Sequence, residues 1–280
     1  MRASLALGPL LVSVTWASAA VAEPLEAPEP GPAYQLHAGI DVPAVAIPAV
    51  ISASWLLGGE LEPPYCAPRC DPDGLNFIDR PAAGLHSEAW SGLGNVATLS
   101  TLVSMPFMLF MGEKPSHALN DVVVVIEATL WASATQVVVS YATARPRPRL
   151  YGDEAPDEDR FTGTAARSFF SGHSATGWAA TVSTFRTLLR TGHPAMGWAA
   201  LAVGGTGSTV LSVARIGAGS HFPTDVVAGT VVGISYGFLV PALHSAPVAS
   251  TSTARAPRLT LRPYPMIASE MAGAGLLGTF

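Results

Sequence analysis

The sequence predicts an all-α fold: a bundle of six membrane-crossing helices, a signal peptide before it, and a short β or extended tail after it. Three observations carry that expectation. Six apolar segments lie at about 38–58, 92–112, 120–143, 174–190, 196–214 and 224–243. Each has the roughly 17–24 residues a helix needs to cross ~30 Å of hydrocarbon. Charged residues make up 12% of the chain and hydrophobic ones 49%, where an ordinary soluble domain is about 25% charged. Several segments are also rich in Gly, Ala, Ser and Thr, the small residues that let membrane helices approach closely. A soluble bundle of buried helices is the alternative that the same lengths allow.

In chain order, residues 1–22 read as a secretory signal. Arg2 is the positive start, Leu5 to Trp16 the apolar stretch, and Ala20-Val21-Ala22 the small residues for cleavage before Glu23. A retained first membrane helix is the other reading. Residues 23–37, with Pro24, Pro28, Pro30 and Pro32, form a Pro-rich linker. The helical domain occupies 38–244, and its first segment is broken by Asp41, Pro43 and Pro48. The loop that follows holds both cysteines of the chain, Cys66 and Cys70. Export places them in an oxidising compartment, where two cysteines in a turn-rich loop make a small disulfide. A metal site would want a second ligand pair, so no metal is expected there. Glu127, inside the third segment, is costly in lipid and is expected to face other helices. The acidic run Asp153, Glu154, Asp157, Glu158 and Asp159 reads as a solvated loop. The tail, 245–280, alternates partly around 258–268 and 273–280, which suits a β-hairpin or an extended arm.

The net charge of −5 and the absence of a basic run argue against a nucleic-acid partner. Three polar clusters stand out instead. They are Ala144-Arg145-Pro146-Arg147-Pro148 after the third segment, Phe170-Ser171-Gly172-His173 before the fourth, and Arg215, His221 and Asp225 between the fifth and sixth. Alternate crossing puts all three on one side. If that side is periplasmic, Lys114, Arg186, Arg190 and His193 fall opposite, with the tail arginines, in accord with the positive-inside rule. A cleaved signal conflicts with this, because a first segment that crossed inward would reverse every later loop. Partial crossing of that segment, a retained N-terminal helix, or a soluble periplasmic bundle each resolves the conflict.

The clusters have a chemistry of their own. Guanidinium groups grip phosphate oxygens in a fork geometry, so Arg147 and Arg215 suit one phosphoryl group held from two directions. The Ser171-Gly172-His173 turn opens a helix, where free N–H groups and the helix dipole favour an anion. Gly172 allows close backbone approach. His221 and Asp225 are four apart and share a helix face, so Asp225 is expected to orient the imidazole.

The spacing also resembles a family. Arg-Pro before a loop, Ser-Gly-His opening the next helix, and Arg-x5-His-x3-Asp later in the chain look like the type 2 phosphatidic acid phosphatase and vanadium haloperoxidase superfamily, over about 38–244. The resemblance implies that Arg147, Arg215, Ser171 and the Gly172 backbone bind phosphate. It implies that His221 is the nucleophile, Asp225 its orienting group, and His173 the acid that protonates the leaving alcohol. No metal or other cofactor is implied for a phosphatase; vanadate on His221 belongs to the haloperoxidase alternative. Three positions depart from the pattern: Ser140 replaces a lysine, Phe170 a proline and Ala214 a serine. Lys114 is a helix length away, so Arg145 or Arg149 is a further candidate for the missing charge. The expected activity is hydrolysis of a phosphomonoester or lipid (pyro)phosphate through a phosphohistidine at the periplasmic face of a bacterial-type inner membrane. The partners implied are a phosphorylated lipid or small phosphomonoester and the membrane. A catalytically impaired envelope protein with the same fold is the main alternative.

Overall fold

The computed structural model describes residues 31–57, 64–245, 260–268 and 271–279. The expected signal peptide, 1–22, lies outside them. Helix α1 spans Ala38–Leu57, α2 Glu88–Gly112, α3 Pro115–Thr143, α4 the single turn Asp157–Arg160, α5 Gly172–Arg190, α6 Pro194–Gly217 and α7 Pro223–Leu243. All six apolar segments are therefore helices, and α4 lies in the acidic run. Local chemistry sets their starts. Pro115, Pro194 and Pro223 open α3, α6 and α7, where a missing N–H costs nothing. Ser87 and Ser171 cap α2 and α5 with their hydroxyls. Helix α3 stops where Ala144 takes a left-handed φ of 43° and returns its N–H to the Ser140 carbonyl.

Helix α5 is the centre, packed against α2, α3, α6 and α7. Its composition explains the placement. The hydroxyls of Thr181, Ser183 and Thr187 donate to the carbonyls of Gly177, Ala179 and Ser183 at 2.8, 2.6 and 2.8 Å. These groups need shelter from lipid and find it inside the bundle. Helices α2, α6 and α7, and the stretch Pro115–Tyr151 that contains α3, are long and apolar enough to cross a membrane. Their outward faces carry exposed Val96, Leu99, Val103 and Phe107 on α2, Val203 and Val213 on α6, and Val227, Val231 and Leu239 on α7. An apolar surface of that extent belongs to a membrane protein.

Close packing comes from small residues. Gly229, Gly233 and Gly237 recur every four along α7. A Cβ at these positions would lie 2.3 Å from the Ser171 carbonyl, 2.3 Å from the Ala175 carbonyl and 2.7 Å from Val182 Cβ. Helix α7 thus lies backbone against backbone on α5, as small-residue stripes allow in membranes. The tail is an antiparallel pair, β1 (Thr260–Ala268) and β2 (Met271–Thr279), with Thr260 opposite Thr279.

The ends of α3, α6 and the starts of α5 and α7 gather at one end of the bundle, so the three clusters do share a side. The α1–α2 loop covers that end. It carries the Cys66–Cys70 disulfide and pairs through Cys70 N–H to Leu150 O (2.9 Å) and Gly84 N–H to Pro148 O (2.8 Å). Gly219, at φ +67°, touches this loop so closely that a Cβ would fall 1.7 Å from the Leu85 carbonyl oxygen, which restricts the position to glycine. Cys70, Ala82, Leu150, Tyr151, Ala165 and Phe222 form the small apolar core beneath.

Candidate active site

A polar cavity of about 270 Å³ opens at this end, lined by Arg147, Gly172, His173 and His221, with Gln136, Ser133, Thr98 and Thr176. Four residues singled out in the sequence thus meet in one place. His221 is 3% exposed. Its Nδ1 lies 2.7 Å from the Ser168 carbonyl oxygen. A carbonyl only accepts, so Nδ1 carries the proton and Nε2 keeps its lone pair. Burial, reinforced by the Arg147 and Arg215 guanidinium groups and His173, pushes the His221 imidazole well below its ordinary pKa. The ring is therefore neutral near pH 7.

Asp225 does not touch that ring by a hydrogen bond. Its Oδ2 is 4.0 Å from His221 Nδ1. It accepts instead from the Phe222 N–H at 2.8 Å and from the Ser168 hydroxyl, while Oδ1 receives Arg145. The i, i+4 spacing predicts a direct His–Asp pair; the structure has a relay. Asp225 holds the Ser168 side chain, and the Ser168 carbonyl holds the imidazole. The reason is local: Asp225 is the third residue of α7, and its carboxylate bends back to cap the helix start.

Arg145 points away from the cavity. Its guanidinium bridges Asp79 at 2.7 Å and Asp225, and stacks 4.4 Å over the Phe222 ring. Asp79 also accepts the Thr224 N–H at 3.0 Å and hydroxyl at 2.7 Å. Burial works to raise Asp79, but hydrogen bonds from Thr224 and Arg145 outweigh it and hold the carboxyl below its usual range. Arg145 is thus neutralised and ties the α1–α2 loop to α7. Asp79 was invisible as a site residue in the sequence, where it sits in an unremarkable turn.

The Ser171 hydroxyl faces inward as well. It accepts from Ser174 N–H at 3.4 Å and lies 3.0 Å from Ser174 Oγ, so it caps α5 rather than lining the cavity. The first N–H groups of α5, at Gly172 and His173, have no intrahelical acceptor and remain for an anion. Arg215, 7% exposed, adjoins the cavity from α6. Its guanidinium is held by Asn95 Oδ1 at 3.2 Å and Ser220 Oγ at 3.0 Å, and its Nε has no partner. Among the described residues no carboxylate pairs with Arg147 or Arg215.

The three departures are placed too. Ser140 is buried, with its hydroxyl on the Val137 carbonyl at 2.8 Å. Ala214 is fully buried and Phe170 packs in the core beside Ala132 and Ala175. Gln136, one turn before Ser140, brings a carboxamide to the cavity; a Cβ on Gly172 would meet it at 3.1 Å. A glutamine directly before the apolar run Val137-Val138-Val139 is the one sequence signal that marks it.

The arrangement is a small pocket with cationic walls, a helix start and an unprotonated imidazole nitrogen. Such a pocket suits a tetrahedral anion. A solved structure, the first transmembrane PAP2 type phosphatidylglycerolphosphate phosphatase from Bacillus subtilis, is 19% identical, with a TM-score of 0.43, covering 72% of this chain and 94% of that one. No curated protein matches the chain. The model of the PAP2 superfamily matches residues 121–248, the span from early α3 past the end of α7 that contains every residue of the cavity but Thr98, and over that span the chain is similar to the PAP2 superfamily.

Proposed function

We propose that this chain is a phosphatase that hydrolyses a phosphomonoester or a lipid (pyro)phosphate through a phosphohistidine on His221, at the periplasmic face. One observation carries the reading. His221, with Nδ1 committed to Ser168, lines the same small cavity as His173 and Arg147. In the first step Nε2 attacks phosphorus and the bond to the leaving oxygen breaks. Burial and the Arg215 and Arg147 charges push the His173 imidazole down to about 3; the substrate phosphate offsets those charges, so His173 takes up a proton as the anion binds and passes it to the departing oxygen. In the second step water gives a proton to His173 and its oxygen attacks phosphorus; the P–N bond breaks, and phosphate leaves with His221 neutral again. Arg147, Arg215 and the α5 N–H groups balance the charge on the phosphoryl oxygens. Neither a metal nor a cofactor takes part in these steps.

Ser140 favours a second reading, an impaired PAP2-fold envelope protein, because its hydroxyl is spent inside α3. The test is rapid quenching of the purified full-length protein with a radiolabelled phosphomonoester or lipid pyrophosphate. The expected product is an acid-labile, base-stable phosphoenzyme that maps to His221. Label on another residue, or turnover without any label, overturns the mechanism. An inert wild type whose Ser140→Lys variant gains phosphate release establishes the impaired reading instead.

A further inference from the structure

The far end of the bundle holds a second cluster. Asp41 lies in the first turn of α1, Glu127 midway along α3, and His244 caps the end of α7. Their side chains are 6–9% exposed. His244 Nε2 is 3.0 Å from Asp41 Oδ1 and 3.2 Å from Glu127 Oε2. His244 Nδ1 lies 2.9 Å from the Val240 carbonyl, which fixes a proton on Nδ1 and turns Nε2 toward the two carboxylates. Asp41 Oδ2 takes the His37 N–H. Glu127 Oε2 is buried, and His244 Nε2 is the one donor near it among the described residues. Nε2 has at most one proton to give, and two carboxylates compete for it. Two carboxylates at that depth outnumber the one imidazole even when it is protonated, and the excess is costly unless a further cation answers it.

The spacing says what kind of cation fits. All three donor atoms lie within 4.8 Å of one another. Ligands bonded at about 2.1 Å to a metal stand about 3.0–3.4 Å apart in octahedral and tetrahedral shells, which is the size of the two measured separations. An Nδ1–H anchored on a backbone carbonyl, with Nε2 turned to the site, is the way ligating histidines are held. A cavity of about 550 Å³ opens on the cluster and is lined by His37, Gln35, Trp131 and Tyr236, with room for water or a further ligand. We propose that Asp41, Glu127 and His244 bind one divalent first-row transition-metal ion at the end of the bundle opposite His221. One imidazole and two carboxylates suit zinc, manganese, iron(II) or cobalt(II); calcium and magnesium favour oxygen alone. The two carboxylates and the ion then sum to zero charge. Helix α7 separates this site from Asp225 by about 30 Å at ~1.5 Å per residue, so the ion locks α1, α3 and α7 together without entering the chemistry at His221.

The experiment uses tag-free full-length protein in detergent, stripped of metal and titrated with cobalt(II). The expected result is one equivalent bound per chain with a visible d–d band. The Glu127→Gln variant, which keeps the shape, should bind at least about tenfold more weakly, and His244→Ala should lose the band. Absence of a band in the wild type overturns the proposal and leaves a plain imidazolium–carboxylate cluster. A band undiminished in both variants also overturns it, because the ion then sits elsewhere. Neither result depends on phosphate release, so this proposal and the phosphatase reading stand or fall separately.

Discussion

The two ends of the bundle bury charge of opposite sign. At the His221 end, Arg147 lines a cavity that Arg215 adjoins, and no carboxylate among the described residues pairs with either. At the far end Asp41 and Glu127 converge on a single imidazole, and Asp121 and Glu113 sit together near the start of α3. Between these extremes stands Arg145, matched by Asp79 and Asp225. The contrast separates two uses of buried charge. Where partners are complete, as at Arg145, the group holds elements together. Where hydrogen bonding is incomplete, as at Arg215 Nε or Glu127 Oε2, the group stays open to a ligand.

The sharpest way to test that contrast is His221→Ala. It should cut kcat/KM for phosphate release by roughly four orders of magnitude or more, since the nucleophile itself is gone. It should leave the cobalt(II) stoichiometry of the far end unchanged. Loss of both in steady-state assays and titration would show that the ends are not independent. His173→Ala in the same assays should still form phosphoenzyme from a substrate with a good leaving group, because such a group departs without a proton.

Asp225→Asn separates a completed charge network from an open one. Removing one member of the buried Arg145–Asp79–Asp225 network should cost about 3–5 kcal/mol of stability, seen as a lower Tm. The loss in kcat should be milder than for His221→Ala, about one to two decades, because the Ser168 carbonyl still fixes the imidazole. Rate loss equal to that of His221→Ala would make Asp225 a direct partner after all. A smaller effect is expected from Gln136→Ala. One carboxamide hydrogen bond to the bound anion is worth about 1.5 kcal/mol, the low end for a charged partner, so kcat/KM should drop about tenfold, mostly through KM, with Tm nearly constant.

The smallest effect concerns Glu113, at the far end. Burial, with the Asp121 charge beside it, raises its carboxyl from 4.5 to about 7. The folded protein then holds a proton between those values that the unfolded chain has lost. Stability from this group is therefore greatest at low pH and falls as pH rises from 4.5 through 7. The Tm of Glu113→Gln should change less between pH 5 and pH 8 than that of the wild type. An identical pH dependence in both would remove Glu113 as the source.

Much of this was readable along the chain because it is local. Each of the six long helices follows from an apolar run, and the starts of five of them from Ser87, Ser171 and three prolines. The spacing of Arg147, Gly172, His173 and His221 named four members of the cavity, and Arg215 its neighbour, since motif residues at helix ends must meet once alternate crossing brings those ends to one side. What failed was direction. Ser171 and Asp225 carry the right atoms at the right positions, yet both bend back to cap their own helices. Arg145 looked like a spare cation and is fully paired.

By itself the sequence determined the helices, their membrane-grade apolar surfaces and the grouping of the arginine and histidine clusters, because hydropathy and helix ends depend on neighbours within a few residues. Tertiary structure alone decided that α5 lies at the centre and that the Ser168 carbonyl, not Asp225, holds His221. It alone brought Asp79 to Arg145, Gln136 to the cavity, and Asp41, Glu127 and His244 to one point. Those meetings join residues tens to hundreds of positions apart. Their partners are chosen by which faces pack, such as the glycine stripe of α7 against α5, and no spacing along the chain records that choice.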